Sequence, residues 1–321
     1  MATVIENPIL NSPFTEPTRH WVLDSRGQPT GECAEGRRPS ETWMPVPRAQ
    51  KGRNKSLQQE ITGFDGIIEE RESQEIIGAI RAEVGRWRAM GYPNVTPTTR
   101  RLLEYWTDPE RERKLFFAQI EAAETAIYLA EVGTKLGKAW ISKHLEDANA
   151  EHNAGLPRVA LKMATGAGKT VVMAMLIAWH TLNKVRAPQD ARFAKRFLIV
   201  APGITIRDRL RVLMPSDPNN YYRERDLVPA DLWPTLGQAQ VAITNYHAFM
   251  LRTTHEGEGI AAKTKALLLR GKKQDPFVET PAQMANRVLR DLGGSNKGQI
   301  IVINDEAHHC YQTRGAALEG A

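Results

Sequence analysis

Met163-Ala164-Thr165-Gly166-Ala167-Gly168-Lys169-Thr170 is the stretch that decides the fold of this 321-residue chain. An apolar run, Val159 to Met163, precedes it and reads as a strand, and a longer one, Val171 to Asn183, follows it and reads as a helix. Glycines at 166 and 168 let the backbone curl so that successive N–H groups and the helix start point at one place, which suits phosphate. Lys169 then reaches the outer phosphates and the Thr170 hydroxyl holds Mg²⁺, while Thr165, Gly166, Ala167 and Gly168 cradle the chain of phosphates. The generic pattern G-x-x-x-x-G-K-[ST] has a glycine where this sequence has Met163.

Far downstream a second apolar run, Ile300-Ile301-Val302-Ile303, enters Asn304-Asp305-Glu306-Ala307-His308. Carboxylates at the carboxyl end of a strand sit where open α/β sheets place ligand chemistry. Taken alone, such an acidic pair is often only a helix cap. Beside the glycine loop it completes an ATP-hydrolysing set, with Asp305 on Mg²⁺ and Glu306 orienting or deprotonating the attacking water. The runs Arg196 to Ala201, Val241 to Asn245 and Gln299 to Asn304 each lead into a loop or helical stretch. That rhythm predicts a parallel sheet with crossover helices over the C-terminal 200 residues or so.

Composition agrees and excludes other classes. Hydrophobic residues make up 41% of the chain and charged ones 25%, which is globular, and the net charge of +6 suits a polyanionic partner without demanding one. Cys33 and Cys310 allow at most one bridge, so a secreted disulfide scaffold is excluded and a reducing cytoplasm is expected. The longest apolar run, Val171 to Trp179, falls far short of the roughly 20 residues of a membrane span. No membrane partner is expected.

Working toward the amino terminus, seven of the 19 prolines fall in the first 50 residues. Residues 1–60 therefore read as an extended, largely irregular leader, and Lys51, Arg53 and Lys55 as a solvated linker. Residues 61–113 form a mainly helical segment. Ile76, Ile77, Ile80, Val84 and Trp87 predict an amphipathic helix within 67–90, and a second helix begins near Thr98 and carries Leu102, Leu103 and Trp106. A long third helix is expected over about 117–145. Residues 114–321 then make one ATPase lobe, with 251–298 as an insertion whose Lys263, Lys265, Arg270, Lys272 and Lys273 face DNA or only solvent.

Two other constellations are weak. His308, His309 and Cys310 stand in a row without a partner pair at ligand spacing, so a zinc site is not expected. Asp108, Glu112 and Lys114 faintly imitate a nuclease triad, but their tight spacing in a charged helical segment suits a salt-laced helix. In Leu115-Phe116-Phe117-Ala118-Gln119, a glutamine beside aromatic residues has the groups to bond an adenine edge, though alone it would be one surface Gln on a core helix.

In combination these residues resemble the motor (Res) subunit of type III restriction enzymes, within the superfamily 2 DEAD/DEAH-box helicases. The matching pieces are FFAQIEAAETAIYL (Q-motif), LPRVALKMATGAGKT (motif I), FLIVAPGITIRDRL (motif Ia), AITNYHAF (motif Ib) and IIVINDEAHHC (motif II), running in the family's order across 115–310. The leader pieces SPFTEPTRHW and GRRPS are a weaker similarity. The resemblance implies a first RecA-like P-loop lobe that uses ATP and Mg²⁺ and tracks along double-stranded DNA by its phosphate backbone. By position, Gln119 would read adenine and Thr165 to Thr170 would hold the phosphates, with Lys169 catalytic among them. Thr170 and Asp305 would hold the metal, Asp305 and Glu306 would drive hydrolysis, and His308 would couple nucleotide state to DNA. Ala201, Pro202, Gly203, Thr205 to Arg207, Thr244 and Asn245 would meet DNA phosphates.

The family's motors continue into motif III, a second RecA-like lobe with an arginine finger, and commonly a nuclease domain, and they work with a separate modification (methylation) subunit. Fifteen residues follow Glu306. The expectation is therefore an amino-terminal fragment or a truncated product that needs the second lobe and nuclease domain from elsewhere. The alternative is a nucleotide- and DNA-binding module, or a decayed remnant, with no turnover of its own. A P-loop kinase or transporter subunit would not explain Gln119, DEAH and motif Ia together.

Overall fold

The computed structural model describes residues 8–24, 27–47, 67–133, 135–137, 139–152, 155–252, 278–294 and 298–306. Expectations for the 51–55 linker, for 263–273 and for His308, His309 and Cys310 lie outside these residues. The chain divides into two compact units, one of residues 1–95 and 114–167 and one of 96–113 and 168–321.

In the first unit the described leader residues are extended but paired rather than irregular, and 48–60 lie outside the described residues. Strand β1 (Arg19–Leu23) meets β2 (Pro29–Glu35) antiparallel, and β3 (Glu41–Pro47) meets β4 (Ile67–Ser73). A two-stranded ladder leaves every strand an edge. Pro29 can start β2 and Pro45 and Pro47 can sit in β3 because an edge strand has N–H positions with no partner to lose. Residues 67–73 belong to β4, so the first helix is shorter than its apolar period suggested: α1 runs Glu75–Ala89, burying Ile80, Val84 and Trp87. It stops at Gly91, whose φ of +73° costs glycine little.

The expected long helix is two. Helix α3 (Phe117–Ile127) runs into one wide turn at Tyr128–Val132 and ends around Gly133 and Gly137, and α4 (Ala139–His152) restarts beyond them. Gly137 has φ +71°, which a helix cannot absorb. Helix α3 is held by charge as well as by packing. Glu124, fully buried, accepts from Arg88 Nε at 2.9 Å and Nη2 at 2.5 Å and from the Tyr92 hydroxyl at 2.7 Å. One turn earlier, Arg37 forks onto both oxygens of Glu121. The guanidinium groups of Arg37 and Arg88 lie 5.6 and 5.1 Å from the Phe117 ring. Phe14 packs on Phe116, and Pro13 accepts the Phe117 N–H at 2.8 Å.

The run Val159 to Met163 is not a strand and joins no ladder. Just before it, the Asn149 side chain accepts the Arg158 N–H at 2.9 Å and donates to the Arg158 carbonyl at 3.2 Å. Leu156 and Val159 are left exposed.

The second unit is built on a parallel sheet in the order β6 (Gln240–Asn245), β5 (Arg196–Ala201), β7 (Ile301–Asn304). All six residues of central β5 are buried, as a strand covered on both faces requires. Leu198, Val200, Ala242 and Leu292 form a core with Val288, Leu289 and Ile300 against it. Helix α5 (Lys169–Arg186) buries 11 of its 18 residues. Helix α2 (Pro97–Thr107), capped by Thr96, docks on α5 through Thr99, whose hydroxyl accepts from Trp179 Nε1 at 3.1 Å and Asn183 Nδ2 at 2.9 Å. No described helix is long and apolar enough to cross a membrane.

Within α5, His180 packs against Trp179, Phe193 and Phe197, and its Nδ1 is buried without a hydrogen-bond partner among the described residues. Burial holds its pKa down to about 3. The folded chain thus takes up fewer protons than the unfolded one below pH 6.5, and stability drains as pH falls from there toward 3, by up to about 1.4 kcal/mol per unit. Chemical denaturation at pH 7, 5.5 and 4.5 should show this slope, flattened in His180→Leu. An equal slope in both chains would refute the assignment.

Candidate nucleotide site

Gly166 and Gly168 carry φ of +80° and +83°. A Cβ at Gly166 would meet nothing within 4 Å, so the demand there is conformational, for the left-handed turn itself. Gly168 caps α5 without any side-chain bond, leaving the first N–H groups of an 18-residue helix to an anion. The unit boundary falls between Ala167 and Gly168.

In the first unit, Gln119 is 5% exposed and bonded at both ends of its amide. Its Oε1 accepts the Phe116 N–H at 3.0 Å, the reach-back of an N3 glutamine to its cap, and its Nε2 donates to the Ala167 carbonyl at 3.2 Å. One lone pair and one N–H remain. The glutamine therefore ties α3 to the glycine loop, a link that sequence reading missed; the Phe-x-x-Gln spacing could have signalled only the reach-back to Phe116.

In the second unit, parallel register puts the ends of three strands side by side: Val200 pairs Thr244 and Asn304, Ala201 pairs Asn245, and the Asp305 N–H donates to Val200 O at 2.9 Å. The candidate segments after β5, β6 and β7 thus share one pole of the sheet. There Lys169 Nζ, the first residue of α5, meets Glu306 Oε1 at 2.5 Å. Both side chains are about one-third exposed. Glu306 has φ +52°, a left-handed conformation that costs a non-glycine residue about 1–3 kcal/mol and gathers at functional sites. Half-buried Asp305 has its pKa raised by burial and then by the Glu306 charge, against the pull of Lys169 and Arg209. Two crowded carboxylates of this kind are a donor set that a divalent cation relieves. Thr170 follows Lys169 on the first turn of α5.

Arg207 and Arg209 on α6 (Ile204–Arg209) are both exposed, and it is Arg209, not singled out by spacing, whose charge reaches Asp305. Asn245 Oδ1 accepts the Ala248 N–H at 3.2 Å and so caps the turn that follows β6. Among the described residues no three His, Cys, Asp or Glu side chains form a metal cluster.

The family model described as "Type III restriction enzyme, res subunit" matches residues 112–318. That is well over half of the chain and covers the Q-motif through motif II. The chain belongs to this family. Membership makes the matched region a helicase-like P-loop ATPase lobe of the type III restriction kind, a class that generally uses ATP and Mg²⁺. No curated protein and no solved structure matches the chain.

Proposed function

We propose that the chain binds and hydrolyses Mg·ATP as the motor lobe of a DNA translocase in a type III restriction system. The observation that carries the reading is the meeting of Lys169 and Glu306 at the carboxyl pole of the sheet. In this reading the N–H groups of Thr165 to Thr170 and the Lys169 ammonium hold the phosphates, and the free half of the Gln119 amide reads adenine. Thr170 and Asp305 hold the Mg²⁺, which neutralises charge on the phosphates. Glu306 leaves Lys169 for the attacking water. The segment Ala201 to Arg207, with Thr244 and Asn245, meets the phosphate backbone of double-stranded DNA, and a modification subunit supplies the target sequence. Hydrolysis at full rate calls for an arginine finger from a second motor lobe, worth about 10³–10⁵ in rate.

A second reading, a nucleotide- and DNA-binding module without turnover, is favoured by the same ion pair, since it occupies both the phosphate-binding cation and the base. The test is Mg·ATP binding and hydrolysis with and without duplex DNA, beside Lys169→Ala. DNA-stimulated hydrolysis that Lys169→Ala abolishes is the expected result. Binding without turnover selects the module, and no binding sinks both readings.

A further inference from the structure

Between Lys184 and Arg196 the sequence places Lys184, Arg186, Arg192, Lys195 and Arg196 against one carboxylate, Asp190. Within the second unit three of these cations, Lys184, Lys195 and Arg196, line a recess of about 310 Å³ together with Gly298 and Gln299. Lys195 and Arg196 stand at the start of β5, and Gly298 and Gln299 shortly before β7, so the recess lies at the amino pole of the parallel sheet. Asp305 and the glycine-loop lysine belong to the other pole.

Arg196 is the member that a structural role explains least. It is 6% exposed, its Nη1 donates to the Gly298 carbonyl at 3.0 Å and its Nη2 to the Gly294 carbonyl at 2.5 Å, and its Nε is buried without a partner. Among the described residues it meets carbonyl dipoles and no carboxylate. A buried charge ordinarily needs a counter-charge, because dipoles return only part of the lost hydration. The neighbours do not supply one. Lys184 Nζ donates to the Asp190 backbone carbonyl at 2.9 Å, which orders the ammonium and leaves its charge. The Asp190 carboxylate bonds Arg192 at 2.6 Å and feels the Lys184 charge only as a lesser, longer-range attraction. Gln299 Nε2 donates to Ala191 O at 2.6 Å and ties the two rims together. The wall is thus fixed by cross-links, and its net charge is positive.

We propose that this recess binds a phosphate group, with Lys184 and Lys195 contacting its oxygens and Arg196 supplying the buried counter-charge behind them. A multiply charged oxyanion gains from converging cations where a neutral ligand would not. Free pyrophosphate and a nucleic-acid backbone both present this group.

Because Thr165 to Thr170 are themselves proposed to hold phosphate, the test uses the full chain carrying Lys169→Ala, so that the two readings fail separately. Pyrophosphate is titrated calorimetrically into this chain and into the same chain with Lys184→Ala and Lys195→Ala added. Both lysines are partly exposed, and melting curves verify that the variant folds. Saturable one-to-one binding, weakened about tenfold or more by the two lysine changes, is expected. Displacement of pyrophosphate by a 12-base-pair duplex then assigns the recess to a nucleic-acid backbone, and a lack of displacement assigns it to free phosphate. No saturable binding, or binding that ignores Lys184 and Lys195, overturns the proposal.

Discussion

Arg88→Ala should destabilise the first unit by about 3–5 kcal/mol, the usual cost of removing one partner from a buried ion pair. Glu124 is fully buried and takes two of its three named hydrogen bonds from Arg88. With the guanidinium gone, only the Tyr92 hydroxyl would stay on a carboxylate that water cannot reach. The loss extends along α3, because Arg88 also stacks on Phe117 beside Arg37. Replacing both partners by apolar residues, Arg88→Met with Glu124→Leu, should recover most of the stability, since no charge is then left buried alone. Urea denaturation of the three chains separates the cases. A loss below about 1 kcal/mol for the single variant would mean that Glu124 is satisfied some other way.

Glu306→Gln should lower ATP hydrolysis by about 10²–10⁴-fold, the ordinary contribution of a positioned general base, while leaving nucleotide binding intact or tighter. The second half follows from the 2.5 Å contact with Lys169. A neutral amide no longer competes with phosphate for the ammonium, whereas loss of a residue that only shaped the site would weaken binding too. Steady-state hydrolysis and equilibrium binding of a fluorescent ATP analogue read the two effects apart. Hydrolysis at the parent rate would remove Glu306 from the chemistry.

The candidate nucleotide site was legible to different depths. Glycines at 166 and 168, Lys169 and the Asp305-Glu306 pair were candidates from the sequence because each carries its chemistry in its own residue type and local spacing. The bond from Gln119 to Ala167 was not, since it joins residues far apart in sequence. Arg209 was passed over for Arg207 because two exposed arginines on one short helix differ only in what lies opposite them. Asn245 was legible as the last residue of a strand, but its use as a cap depended on the turn that Ala248 completes.

Secondary structure divides along the same line. A helix carrying Leu102, Leu103 and Trp106 and the parallel strands β5, β6 and β7 follow from apolar spacing and short apolar runs, whereas the start of α2 at Pro97 and the order and register of the strands came from the structure. Ile67–Ser73 reads equally well as an extension of the helix behind it, and only pairing with Glu41–Pro47 made it a strand. Val159 to Met163 has strand composition, yet a strand exists only where a neighbour offers its hydrogen-bonding groups, and among the described residues none pairs with this run. By itself the sequence determined the family and marked out the candidate phosphate loop and the acidic pair. Tertiary structure decided which carboxylate meets Lys169, which arginines hold Glu121 and Glu124, and that Arg196 is buried with no carboxylate partner among the described residues. Those outcomes depend on distances between residues remote in the chain, which neither periodicity nor spacing encodes.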